Sequence, residues 1–239
     1  QIFAYQPEFN VIVVDDKSPD GTGDILDRMA ANDNRIHVIH GTSKSGLGTA
    51  CIKGFKYALS RGDADYIFEM DGDGSHSPEF LRDFIQASED YDLIIGSRYY
   101  NGIRVEGWNF RSLVISKLAN IYISRIMLRP IWDFTSGFRC YKSKMLETIN
   151  LDQIKSEGYL FQIEMIHRSF KQGFRIIELP IIFREKKNRY SKISENNISN
   201  TFWTVLKWHA PIRKMIRYRS IFRFQTRPFF TRISKDQNW

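Results

Sequence analysis

Tyr66-Ile67-Phe68-Glu69-Met70-Asp71-Gly72-Asp73-Gly74-Ser75-His76 is the stretch whose reading decides the fold. Its first five residues read as a buried strand, and the two aspartates stand where the chain leaves the strand's carboxyl end. Open α/β sheets bind their ligands at that edge. Two carboxylates one residue apart, followed by glycine and a hydroxyl, are hard oxygen donors suited to a divalent cation that also holds phosphate oxygens. The stretch therefore points to a Mg²⁺ or Mn²⁺ diphosphate site. A plain Asp-Gly turn is the alternative, because both residue types favour turns. A calcium loop is excluded, since it needs glycine where His76 stands and glutamate where Arg82 stands.

Upstream, Phe9 to Val14 forms an apolar strand ending in Asp15-Asp16, and the turn Ser18-Pro19-Asp20-Gly21-Thr22 starts a helix through Ile25, Leu26 and Met29. Arg35 to His40 is the next strand, and Gly46-Leu47-Gly48-Thr49-Ala50 opens a helix through Ile52, Phe55 and Leu59. Leu47 replaces the lysine of a Walker loop and Cys51 replaces the third glycine of a dinucleotide fingerprint, so both nucleotide signatures are absent. The glycines instead let a helix start pack closely on the sheet or on a ligand.

Downstream, Pro78 to Ala87 is a short helix and Tyr91 to Ser97 a strand ending at Arg98. Four alternations of strand and helix argue a parallel sheet with right-handed crossovers. Arg98 leaves the sheet at the same edge as Asp71 and Asp73. There it either serves a diphosphate or makes a plain Arg–Asp bridge. Ser112 to Leu128 is helical and broadly apolar, charged only at Lys117 and Arg125; it suits a core helix or one lying on a membrane face. Polar groups interrupt the aromatic runs Asp133 to Arg139 and Gly158 to Met165, as in pocket linings.

At 239 residues and 42% hydrophobic, the chain can bury one substantial α/β core with a C-terminal appendage. No apolar run is long enough to cross a bilayer and no signal-peptide pattern opens the chain, so a soluble or peripheral protein is expected. Cys51 and Cys140 indicate neither a zinc site nor a disulfide framework, and a reducing compartment fits. Of the +8 net charge, the segment from Pro211 onward carries nearly all: eight Lys and Arg against Asp236 alone. Asn197 to His209 reads as an amphipathic helix, with Trp203 and Trp208 flanking its apolar side. The aromatics Tyr218, Phe222, Phe224, Phe229, Phe230 and Trp239 interleave with the basic tail. Such a tail suits an anionic membrane surface or nucleic acid. Asn197-Ile198-Ser199 is a sequon by pattern only.

Val13-Val14-Asp15-Asp16, Ser18-Pro19-Asp20-Gly21-Thr22, Gly46-Leu47-Gly48-Thr49-Ala50, Asp71-Gly72-Asp73, Gly96-Ser97-Arg98-Tyr99, Gly137-Phe138-Arg139 and Gly158-Tyr159-Leu160-Phe161-Gln162-Ile163-Glu164-Met165 occur in an order that resembles the dolichol-phosphate mannosyltransferases. These are inverting family 2 glycosyltransferases, and the match spans roughly residues 9 to 193. The resemblance implies an α/β GT-A (Rossmann-like) fold, a mostly parallel sheet flanked by helices. It implies a catalytic domain over residues 1–193, then an amphipathic helix and membrane-surface tail over 194–239. It implies mannosyl transfer from GDP-mannose to polyprenyl or dolichyl phosphate with a β-linked product.

On that resemblance Asp16 reads the nucleoside beside Val14, and Asp71, Gly72 and Asp73 sit at the diphosphate. Asp71, Asp73 and Ser75 hold Mg²⁺ or Mn²⁺, and Arg98, Arg111 and Arg139 position the phosphates. Lys186 stands where the family has arginine and Arg189 where it has glycine, while Ser191-Lys192 are kept, so Lys186 and Lys192 join the phosphate contacts. The implied location is the cytoplasmic face of a membrane: the endoplasmic reticulum in a eukaryote, the plasma membrane in a prokaryote. With a lipid-phosphate acceptor implied, the tail is assigned to membrane and no nucleic acid is expected. The family's opening Pro-Thr-Tyr-Asn-Glu strand has no counterpart before Phe9, so the first strand of the sheet is expected to be lacking. Another hexosyl donor, or a catalytically silent membrane-associated relative, are the alternatives.

Overall fold

The structure is a computed structural model that describes residues 1–185, 203–206 and 208. After a one-turn helix, α1 (Ile2–Tyr5), strand β1 (Val11–Asp15) pairs in parallel with β2 (Ile36–His40), from Val11 opposite Ile36 to Asp15 opposite His40. Helix α2 (Thr22–Asn32) makes the crossover and helix α3 (Leu47–Arg61) returns the chain. Gly62, at φ 69°, ends α3 in the left-handed conformation that glycine adopts without steric cost.

A second sheet carries the site. Its strands are β3 (Tyr66–Glu69), β4 (Leu93–Ser97), β6 (Arg139–Lys142) and β7 (Ile176–Pro180), in the order β3-β6-β4-β7. Strand β5 (Val105–Glu106) pairs separately, in parallel, with β8 (Phe183–Arg184). The helices are α4 (Leu81–Ala87), after a 3₁₀ turn at Pro78–Phe80, then α5 (Phe110–Met127), α6 (Ser143–Thr148) and α7 (Tyr159–Lys171). Strand β7 runs parallel to β4, but β6 runs antiparallel to both its neighbours. The loop after α5 brings the chain back at the carboxyl edge of the sheet, where the Gly96 N–H donates to the Phe138 carbonyl, so β6 enters in the opposite direction.

Two apolar layers cover this sheet. Leu93 and Ile95 face the larger one, with Phe55, Ile123, Phe134, Tyr141 and Phe161, while Ile94 faces Leu81, Phe84, Phe138, Cys140 and Ile181. Period-two alternation on a strand buried on both faces produces that division. Both thiols are free, and burial first of all holds Cys51 and Cys140 above the ordinary thiol range, which suits inert packing groups. Among the described residues β1 and β3 share no ladder. Phe9 reaches across to Phe68 with ring centroids 5.5 Å apart.

Residues 203–206 and 208 are helical, Val205 is buried in the larger core, and Trp208 stacks on His167 at 5.5 Å. Part of the expected appendage thus packs on the α/β core. Lys186, Lys192, the rest of the Asn197–His209 helix and the basic tail lie outside the described residues. Among those described, no helix is long and apolar enough to cross a membrane.

Candidate active site

Asp71 and Asp73 emerge half-buried from the carboxyl end of β3, with Gly72 exposed between them. The Asp73 carboxylate is held from its own turn: its Oδ1 accepts from the Ser75 N–H at 2.9 Å and the Ser75 hydroxyl at 2.6 Å. Ser75 is 2% exposed and its hydroxyl donates to Asp73, so it orients that carboxylate. Neighbouring His76 is also buried, and its Nδ1 accepts from the Asp71 N–H at 3.1 Å. Its ring lies on Phe138 and edge-on to Phe183, at 5.1 and 5.6 Å. Burial, against the pull of Asp71, holds the imidazole below its ordinary value. It is therefore neutral, with the proton on Nε2. The sequence reading gives His76 no role, because nothing local shows that a histidine will brace the backbone under a carboxylate.

Arg98 makes the Arg–Asp bridge. Its Nε and Nη2 donate to the two oxygens of Asp133 at 2.7 Å each, its N–H adds a third bond at 3.0 Å, and Nη2 also reaches Thr135 Oγ1 at 2.7 Å. Tyr99, Trp108 and Phe183 surround the guanidinium at 5.3–5.6 Å. Burial pushes the Asp133 carboxyl up, but Arg98 outweighs it and the group ends below the ordinary carboxylate range. The Asp133–Arg139 run, expected as a pocket lining, is largely buried scaffold. Asn120 Oδ1 accepts from the Phe134 N–H at 2.8 Å, and Glu178 accepts from the Trp132 and Asp133 N–H groups at 2.7 and 2.8 Å.

Glu178 supplies a pH test. Burial raises its carboxyl to about 7, helped by the Asp133 charge and opposed by those backbone donors and the Ser97 hydroxyl; Arg98 stands beyond Asp133. Between its unfolded value of 4.5 and about 7 the native state holds the proton more tightly. Its contribution is thus complete below pH 4.5 and is lost as pH rises through 7. Unfolding free energies from urea titrations are expected to fall between pH 5 and 8 by on the order of 3 kcal/mol in wild type, and by less in Glu178→Gln. Equal slopes for the two proteins reject this.

Arg139 is fully buried, and its Nε, Nη1 and Nη2 donate to the carbonyls of Ser136, Gln162 and Phe134 at 2.8–2.9 Å. Through those donors Arg139 braces the loop under the aspartates. Arg111 lies exposed on the first turn of α5 and joins no ion pair among the described residues. Gly137 lies beside the site: a Cβ there would stand in ordinary van der Waals contact, 3.7 Å from Asp71 Oδ1 and 3.6 Å from Gln162 Nε2. No group of three His, Cys, Asp or Glu side chains converges among the described residues. Two hard carboxylates alone fit a cation that completes its shell with phosphate oxygens and water.

Residues 1–149 match the family described as Glycosyl transferase family 2. This chain is a family 2 glycosyltransferase. It is 44% identical over 204 residues to a polyprenol monophosphomannose synthase of Mycolicibacterium smegmatis, covering 84% of this chain and 77% of that protein. It is equally identical over 208 residues to an undecaprenyl-phosphate mannosyltransferase of Micrococcus luteus, covering 87% and 85%. A solved glucosyl-3-phosphoglycerate synthase from Mycobacterium tuberculosis, in complex with Mn²⁺, UDP and product, shares the fold. Its TM-score is 0.58 at 16% identity, over 84% of this chain and 69% of that one.

In this family 2 glycosyltransferase the expected nucleoside residues lie on the other sheet. Asp16 accepts from the Ser45 N–H and hydroxyl at 2.8 Å, and Lys53 stands 3.9 Å away. Burial acts to raise the Asp16 carboxyl, and the Ser45 bonds bring it net below the ordinary value. Val14 faces α3, 3.5 Å from where a Cβ on Gly54 would stand. The glycines at the start of α3 approach protein: a Cβ on Gly48 would meet the Ser156 carbonyl at 2.2 Å. The Glu157 carboxylate takes the Gly48 and Thr49 N–H groups at 2.7 and 3.1 Å.

Proposed function

We propose that this chain moves a mannosyl group from GDP-mannose to a polyprenyl phosphate at the cytoplasmic face of a membrane, giving a β-linked lipid-phosphate mannose. The observation that carries the reading is the Asp71–Asp73 pair at the carboxyl end of β3, its second carboxylate fixed by Ser75, in a chain 44% identical to two lipid-phosphate mannose enzymes. Asp71 and Asp73 would hold Mg²⁺ or Mn²⁺, which supplies charge neutralisation for the departing diphosphate. The acceptor phosphate is an anion near neutral pH, so its oxygen attacks the anomeric carbon without a general base. The bond to the GDP oxygen breaks on the opposite face, and the anomeric centre inverts. Exposed Arg111 can orient the incoming phosphate. Asp16, with Ser45 and Lys53, is assigned to the nucleoside end of the donor.

Without a cation, two carboxylates repel a diphosphate. Calorimetry is therefore expected to show GDP binding with Mg²⁺ and at least about tenfold weaker binding with EDTA. Equal affinity in both conditions rejects the metal site. Competition among nucleotide hexoses tests the donor, and preference for a sugar other than mannose rejects GDP-mannose.

A further inference from the structure

Beneath the aspartate pair is a buried polar cluster that the proposed mechanism does not use. Glu69 closes β3, two residues before Asp71, and is 8% exposed. One of its carboxylate oxygens accepts from the Tyr141 hydroxyl at 3.0 Å. The other takes the Gln162 amide Nε2 and, at 3.5 Å, the Cys51 thiol. A carboxylate that gathers three donors fixes which end of an amide it meets. Gln162 therefore commits Nε2 to Glu69, which leaves Oε1 to find its own partner. Among the described residues that oxygen is the one buried side-chain oxygen or nitrogen with no hydrogen-bond partner. Buried polar groups are nearly always paired, so a single exception calls for a partner from outside the chain.

The surroundings show where such a partner sits. Gln162 stands at the start of α7 and is 1% exposed, and its backbone carbonyl takes Arg139 Nη1 at 2.9 Å, so the turn that carries it is braced. Its amide meets the candidate site beside Gly137. Around the point that a Cβ on Gly137 would take, Gln162 Nε2, Asp71 Oδ1 and His76 Cε1 stand at 3.6, 3.7 and 3.9 Å. Those are contact distances, so this spot has room for one non-hydrogen atom. Gly137 is partly exposed between buried Ser136 and Phe138, so the spot is reached from outside.

We propose that Gln162 Oε1 accepts a hydrogen bond from an O–H group seated beside Gly137 and Asp71. That group is a hydroxyl of the donor's sugar, or a water carried by the cation that Asp71 and Asp73 would hold. A phosphate oxygen is the wrong partner, because two acceptors facing each other repel. The inference rests on the proposed function for the presence of a metal-bound nucleotide sugar, and not for its identity. An acceptor fixed in advance by Glu69 discriminates well, since a ligand without the O–H leaves it unpaired.

The test is calorimetry on the full chain with Mg²⁺, titrating a nucleoside diphosphate and its nucleotide hexose into wild type, Gln162→Met and Gly137→Ala. GDP with GDP-mannose and UDP with UDP-glucose are both run. Preference for the uridine pair overturns the proposed donor alone, and the variants are then compared on that pair. Gln162→Met keeps an unbranched side chain of similar size without the amide. A loss of about tenfold for the nucleotide hexose, with the diphosphate unchanged, assigns Oε1 to a sugar hydroxyl. Equal losses for both ligands, with a higher Mg²⁺ requirement, assign it to water on the cation. Gly137 lies outside the left-handed region, so Gly137→Ala fills the spot with a methyl group and keeps the backbone. It is expected to show the same loss with unchanged circular dichroism and urea unfolding, and it decides the matter if Gln162→Met does not accumulate. Wild-type affinity for both ligands in either folded variant overturns the proposal, because Gln162 then only ties α7 to β3. A wild type that binds none of the four ligands overturns it together with the proposed function.

Discussion

Asp73→Asn is expected to lower mannosyl transfer by roughly 10²–10³-fold or more while leaving the fold unchanged. The amide keeps an oxygen to accept from Ser75, so the turn that presents position 73 survives. What disappears is one of two negative charges facing a cation that must also hold a diphosphate. Loss of charge without loss of shape predicts a particular kinetic signature. The metal concentration giving half-maximal rate rises, and excess Mn²⁺ restores part of the turnover. Circular dichroism and the urea midpoint stay at their wild-type values. A variant with near-wild-type rate at limiting metal removes Asp73 from the site.

Asp133→Ala is the change expected to cost most stability. It leaves the Arg98 guanidinium, itself buried, without the carboxylate that takes three of its residue's hydrogen bonds. Breaking a buried pair from one side typically costs about 3–5 kcal/mol. Domains are stable by only about 5–15 kcal/mol, so the variant is expected to melt far earlier or fail to accumulate. Because Arg98→Met removes the other partner, the double variant Arg98→Met/Asp133→Leu should recover a large part of the loss. If Asp133→Ala lowers the urea unfolding free energy by less than about 1 kcal/mol, the pair does not brace the fold. Activity of a folded Arg98→Met/Asp133→Leu protein then separates bracing from phosphate binding.

The aspartate pair is legible in the sequence because its chemistry depends on neighbours two residues away: strand, turn and donor atoms all lie between Tyr66 and Ser75. Strands β1 to β4 and helices α2 to α5 are legible for a similar reason, since each carries its periodicity within its own span. The arginines are different. An arginine at the carboxyl end of a strand looks alike whether it meets a ligand or a protein carboxylate, and the partner of Arg98 lies 35 residues on. Arg139 misleads further, because its acceptors are backbone carbonyls, which no residue type announces. Glu178 and Asn120 brace the same loop from 45 and 14 residues away, brought there by the sheet order and by the packing of α5. Helix α5 shows the opposite case. Its sequence suits a core or a membrane face, and the structure divides it into one side buried and one side exposed.

The position of β6 bears on how this chain is made. In the sheet it lies between β3 and β4, with Tyr66 opposite Lys142 and Leu93 opposite Tyr141, yet it follows both in sequence. Chains emerge from the ribosome at about 5–20 residues per second. Neither β3 nor β4 finds its described partner until residues 139–142 have been synthesised. The nascent polypeptide must therefore carry Leu93-Ile94-Ile95, all wholly buried in the finished sheet, with no neighbour to pair them for several seconds. Pairings this distant in sequence close slowly even in the released chain. The sheet edge, with Asp71 beyond β3 and Arg98 beyond β4, comes into register at the same late step, so chaperone capture during synthesis falls on the strands that frame the candidate site.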